Sequence, residues 1–188
     1  MEKNDNHFTN FKIHSQYSIC EGAVKIDKLA EYCKENKIKA IGLCDSFNLC
    51  GALEFAEKIS KVGTQPIIGS QINFKVDNIL GKIPIFAKTK EGYKNLTKLS
   101  SISYLESEAT TDPYCKLEHL YENSEGLVIL SGTIYDLFGK LFKLNKLELI
   151  KNLFKDINAS FQNNFFIELQ RHLENDEKNF EDFLATVS

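Results

Sequence analysis

Tryptophan is absent from the 188 residues, methionine occurs once, and Arg171 is the only arginine. The positive charge is therefore almost all lysine, which leaves few groups suited to bidentate phosphate recognition. Net charge is −3, so no basic field announces nucleic-acid binding. The five cysteines, Cys20, Cys33, Cys44, Cys50 and Cys115, are odd in number and include no Cys-x-x-Cys pair. That argues against a zinc ribbon or a disulfide scaffold, and for reduced thiols in a cytoplasmic protein. There is no glycine-rich phosphate loop, no internal repeat, and no stretch near the roughly 18 apolar residues that a membrane span requires. The first ten residues, with Glu2, Lys3, Asn4, Asp5 and Asn6, contain no apolar segment of a signal peptide. What is present, 43% hydrophobic and 26% charged residues, is the profile of a soluble globular chain. The length suits one domain over residues 1–188 with a sizeable core.

The most informative stretch runs from Phe11 to Ala23. Read as a strand, it places Asn10, Lys12, His14 and Gln16 on one face and Phe11 and Ile13 on the other. Strands buried in α/β proteins are usually continuous apolar runs, so this polar face suggests the lining of a polar cavity. An edge strand with a wet face is the plainer alternative. Further along, apolar spacing predicts a helix over 25–37, a strand over 40–44 ending at Asp45, and a helix capped by Ser46 or Asn48 and stopped at Gly63. Strands follow over 66–74 and 83–87, joined by a short hairpin or crossover at 77–81. Next come a helix over 91–105, an exposed loop over 106–113 and a strand over 127–130 closed by Ser131-Gly132. Two short helices broken near Asn145, a strand over 165–170 and a helix over 176–187 complete the pattern. Alternating strands and helices predict an α/β fold with a largely parallel sheet.

Several of these stretches together resemble successive motifs of one domain. They are Lys12-Ile-His-Ser-Gln-Tyr-Ser18 with Glu21-Gly-Ala23, Asp45-Ser-Phe-Asn-Leu-Cys-Gly-Ala-Leu-Glu-Phe55, Gln65-Pro-Ile-Ile-Gly-Ser-Gln71, Leu127-Val-Ile-Leu-Ser-Gly132 and Phe165-Phe-Ile-Glu-Leu-Gln-Arg-His172. In this order and spacing they are similar to the polymerase-and-histidinol-phosphatase (PHP) domain at the N-terminus of bacterial replicative DNA polymerase III alpha subunits. The resemblance implies a distorted (β/α)7 barrel with its site at the C-terminal ends of the strands, where the loops are free to vary. It also implies that the chain stops before the last strand, leaving an open and less stable barrel, and that the polymerase domains are absent.

A PHP site that performs chemistry gathers His, Asp, Glu and Cys around about three divalent ions, which make hydroxide at neutral pH and clamp a phosphate. The present sequence departs from that set. Lys12 and His14 stand where metal-binding members have His-x-His, and an ammonium is no ligand and repels a cation. Glu21 takes an aspartate's place and keeps ligating capacity. Asp45-Ser46 replaces Asp-His, Gln71 replaces a carboxylate, and Thr133 stands where a cysteine is usual. His172 is retained, on one face with Glu168 and Gln170 if its strand extends that far. The family's last Asp-x-His pair would lie beyond Ser188. His14, Glu21 and His172 are thus the residual metal candidates, too few for a trinuclear phosphoesterase; Asp45 also reads simply as the residue leading into a helix.

The resemblance therefore implies a non-catalytic segment with a vestigial site and no cofactor of its own. Its role would be to support the polymerase and dock the proofreading exonuclease subunit in DNA replication. Expected partners are the rest of the alpha chain, the exonuclease, other replisome subunits, and DNA through the parent chain, with no membrane. The parent would be a magnesium-dependent DNA-directed DNA polymerase, a nucleotidyltransferase. The alternative is an active PHP phosphoesterase using manganese or zinc, either a proofreading nuclease or a phosphatase resembling histidinol phosphatase. An unrelated α/β barrel enzyme is the third possibility.

Overall fold

A computed structural model describes residues 8–107, 111–173 and 175–187. Of the expected N-terminal segment and the 106–113 loop, residues 1–7 and 108–110 lie outside that set. The chain divides into two compact units, residues 1–70 and 71–188.

In the first unit, α1 (Ile26–Glu35), β1 (Ala40–Ser46) and α2 (Ala52–Lys61) precede β2 (Gln65–Val76), which begins here and continues into the second unit. α1 forms where the sequence predicts it: Ile26, Leu29, Ala30 and Cys33 recur at helical spacing and are all buried. They pack with Ile41 and Leu43 of β1 and with Phe55 and Ile59 of α2 to make the unit's core. The start of β2 runs alongside and parallel to β1, because Gln65 N–H donates to Lys39 O at one end and the Ser70 hydroxyl to Asp45 O at the other. Helix α2 starts later than expected, at Ala52 after Gly51; neither Ser46 nor Asn48 caps it directly, although Asn48 Oδ1 accepts from Cys50 N–H in the turn leading into it.

The strand expected from Phe11 is not a regular one. Asn10 O and Ile13 O accept from Gly42 and Cys44 of β1, so two acceptors three residues apart face two donors two residues apart. One extra residue breaks the ladder as in a bulge, and strict alternation of faces is lost with it. Phe11 is consequently exposed, and the only formal bridge in the segment joins Ser15 to Val24. Gly42 permits this approach, since a Cβ there would lie 2.1 Å from Phe11 O.

In the second unit, the end of β2 turns through Asp77 and Asn78 into β3 (Ile79–Ala87). A two-residue connection between sheet neighbours requires an antiparallel hairpin, and Asp77 supplies the positive φ (52°) of such a turn. After α3 (Lys90–Leu105) come β4 (Tyr114–Lys116) and α4 (Leu117–Glu122), neither expected from the sequence. β4 pairs parallel with β2 through Cys115 and Phe74. β5 (Leu127–Leu130) runs antiparallel to β3 and parallel to β6 (Phe165–Phe166), so β3 opposes both its neighbours and the sheet is mixed. α5 (Leu137–Lys143) and α6 (Leu147–Phe161) break at Asn145 as predicted, where φ is +56°. Phe154 of α6 sits edge-on between Phe138 and Phe165, at 4.8 and 4.9 Å between ring centroids. α7 (Glu177–Val187) buries Phe180 and Leu184. β6 is shorter than the predicted 165–170, and the chain beyond Phe166 leaves the sheet.

Candidate functional site

The candidate positions fall in both units. In the first, Asp45 is 1% exposed, near the end of β1, and receives three neutral donors. Ser15 N–H and the Ser18 hydroxyl donate to Oδ1 at 2.6 Å each, and the Ser15 hydroxyl donates to Oδ2 at 2.7 Å. A buried carboxylate requires such compensation, and here it comes from serines. Ser18 Oγ also accepts from Ser46 N–H, and the Ser46 hydroxyl donates to Glu21 Oε2 at 2.5 Å. Ser15, Ser18, Glu21, Asp45 and Ser46 thus form one hydrogen-bonded cluster, closed by Asn48 Nδ2 on the carbonyl of Tyr17. Lys12 and His14 lie half-buried on the segment leading into it. Ser15 and Ser18 were not identified from the sequence; nothing local to a serine tells which distant acceptor it will meet.

Beside this cluster Tyr17 donates its hydroxyl to Glu54, whose other oxygen binds Lys58, and Lys58 reaches Asp27 of α1. The Lys58 ammonium first, and the Tyr17 hydroxyl second, hold the Glu54 carboxyl below its ordinary range, while the Tyr17 phenol is pushed up chiefly by its bond to Glu54.

In the second unit, Gln71 is buried on β2. Thr133 follows Gly132, whose φ is +75°, and its N–H donates to Asp136 Oδ2 at 2.7 Å. Glu168, Gln170 and His172 do not share a strand, because β6 ends at Phe166, yet their side chains still meet. Gln170 Nε2 donates to Glu168 at 2.6 Å, and its Oε1 lies 3.2 Å from His172 Nε2. The amide thus stands between the carboxylate and the imidazole, where a metal-binding arrangement would need both to face one ion.

Among the described residues no group of three or more His, Cys, Asp or Glu side chains is placed to hold a metal ion. A polynuclear metal centre does not fit this donor set: Asp45 has both oxygens engaged by serines, and lysine, serine, glutamine and threonine occupy four of the expected positions.

The family model described as PHP domain matches residues 10–172. The chain belongs to the PHP domain family. It is homologous to the N-terminal region of bacterial DNA polymerase III alpha subunits. The Caulobacter vibrioides alpha subunit is 35% identical over 175 residues, covering 88% of this chain and 15% of that protein. The Borreliella burgdorferi alpha subunit is 37% identical over 176 residues, again covering 88% of this chain and 15% of the relative. The PHP chain thus spans about 15% of the length of these relatives. Its fold is similar to an amidohydrolase from Chromobacterium violaceum, solved with bound sulfate and no metal, with a TM-score of 0.56 at 12% identity over 95% of this chain and 83% of that one. The mixed α/β fold with an open sheet accords with a distorted PHP barrel. No helix among the described residues is long and apolar enough to cross a membrane.

Proposed function

We propose that this PHP domain acts in DNA replication as a non-catalytic scaffold within a polymerase III alpha chain, supporting the polymerase and docking the proofreading exonuclease subunit. The observation that carries the reading is the state of Asp45: a carboxylate at a PHP site position is buried, with both oxygens engaged by Ser15 and Ser18. The vestigial positions are then Lys12, His14, Glu21, Asp45, Ser46, Gln71, Thr133 and His172, with structural hydrogen bonding in place of ion binding. A site of this kind is rigid without a cofactor, as a platform requires. Homology to alpha subunits supports the replisome setting, in which the remainder of the alpha chain and the exonuclease are the partners.

The test uses the alpha chain that carries this domain, purified without chelator and supplied with manganese or zinc. The expected result is no stoichiometric ion attributable to the domain, no phosphoesterase activity from it, and retention of the exonuclease subunit that is lost when residues 1–188 are deleted. Two or more ions bound to the domain, with hydrolysis abolished by His14→Ala, would establish the phosphoesterase reading instead.

A further inference from the structure

The segments that follow α1 and α2 lie together in the first unit. Lys37 N–H donates to Lys34 O as the chain leaves α1, the Thr64 hydroxyl donates to Ile38 O at 2.7 Å, and Gln65 N–H donates to Lys39 O at 2.8 Å. Residues 34–39 and 61–65 thus form one continuous surface where β1 and β2 begin, at the opposite end of β1 from Asp45. Lys34, Lys37, Lys39 and Lys61 all stand on it, and all are exposed. Among the described residues none of these four ammonium groups takes part in an ion pair or a hydrogen bond, and the acids nearest in sequence, Glu35 and Glu57, pair with none of them. Elsewhere Lys28, Lys58, Lys94 and Lys146 each meet a carboxylate.

Helix dipoles account for part of this set, since Lys34 and Lys61 lie in the last turns of α1 and α2, where a cation is favoured. Lys37 and Lys39 lie beyond the helices and have no such reason. Position 37 is the sharper case. Its φ is +52°, and the matching position two residues past the end of α2 is Gly63, at φ +83°. Glycine takes that conformation without steric cost, so lysine at 37 is the less stable choice, and its charge has no partner among the described residues.

We propose that this surface binds the phosphodiester backbone of nucleic acid, with Lys34, Lys37, Lys39 and Lys61 each neutralising one phosphate. A point charge on a flexible stem meets a phosphate without fixed geometry and reads no base, so binding is independent of sequence and falls as salt rises. At about 50 mM salt each such contact raises affinity about tenfold, through the counterion it releases. The net charge of −3 does not prevent this, because salt near 0.1 M confines the reach of a surface charge to about 10 Å. The inference goes beyond the scaffold reading and does not rest on it.

The test titrates the 188-residue chain into a labelled DNA single strand and a duplex of equal length, read by fluorescence anisotropy at about 50–200 mM salt, with NMR amide shifts to localise the contact. The slope of log affinity against log salt is expected to be about −2.8 for the single strand and about −3.6 for the duplex, the values for four phosphates. Amide shifts should cluster in 34–39 and 61–65. Replacing the four lysines by glutamine should abolish binding, whereas the same replacement at exposed Lys90, Lys98, Lys155 and Lys178 removes equal charge and should change affinity less than about threefold. Lys37→Gly alone should lower affinity about tenfold at 50 mM salt and flatten the slope by about 0.7–0.9, with no loss of thermal stability; a structural role at 37 would not give that combination. If the fourfold variant does not fold, this single variant decides. No binding at the lowest salt, equal losses in the two fourfold variants, or shifts confined to other residues would overturn the proposal. Tighter binding of polyglutamate than of DNA would also overturn it, by assigning the surface to an acidic protein.

Discussion

Replacing Asp45 by alanine removes the one acceptor shared by Ser15 N–H and the hydroxyls of Ser15 and Ser18. The hydroxyls can rotate toward other acceptors and lose a net of about 0.5–1.5 kcal/mol each, whereas the buried backbone N–H cannot turn and costs about 1–3 kcal/mol when left unsatisfied. Asp45→Ala is therefore expected to destabilise the chain by about 2–6 kcal/mol, a large part of the 5–15 kcal/mol typical of a domain. Asp45→Asn preserves the shape and one oxygen for Ser15 N–H and Ser18, and its amide can donate to the Ser15 hydroxyl, which then accepts. The loss of charge assistance leaves an expected cost of about 1–2 kcal/mol. Urea unfolding followed by circular dichroism measures both, as midpoint shifts at constant m-value, and hydrogen exchange at the Ser15 amide localises the effect. An alanine variant within about 0.5 kcal/mol of the parent, the range of ordinary surface substitutions, would refute the claim that the serines depend on this carboxylate. An asparagine variant as unstable as alanine would show that charge, not hydrogen-bond geometry, is what the site requires.

Two further outcomes follow from the packing and the charge pattern. Phe154→Ala should cost about 3–5 kcal/mol, because the ring is 2% exposed and meets Phe138 and Phe165 edge-on; Phe154→Leu should cost less than half as much, and equal losses in thermal or urea unfolding would remove the aromatic argument. Glu54 should titrate in carboxyl NMR with a midpoint below its ordinary 4.5, moving up in Lys58→Met, because Lys58 is the first cause of its lowering. A lowered folded-state value means that the stabilisation is complete above the unfolded-state value and fades as pH falls through the folded one. The stability difference between the parent and Glu54→Gln should thus be present near neutrality and vanish in acid; a midpoint at or above 4.5 contradicts the pairing.

What the sequence by itself determined is local. The helical spacing of Ile26, Leu29, Ala30 and Cys33, the break at Asn145 and the hydrophobic run Leu127–Leu130 each depend on neighbours a few residues away, and each appears in the structure where the pattern predicts it. The motif order from Lys12 to His172 also sufficed for the family. The remaining features needed the tertiary structure. Alternation could not show that the segment from Phe11 carries an extra residue against β1, because a bulge is set by how two strands meet. The same limit hid the shortness of β6, where Glu168, Gln170 and His172 converge without a strand. It also hid β4, three residues long, which exists only because β2 offers it a partner. Asp45 looked like a residue leading into a helix, and only the folded chain brings Ser15 and Ser18, 30 and 27 residues earlier, onto its oxygens. A carboxylate's charge and place in the chain are written in the sequence, but whether it meets a metal, a helix end or a pair of hydroxyls depends on which distant backbone the fold sets beside it.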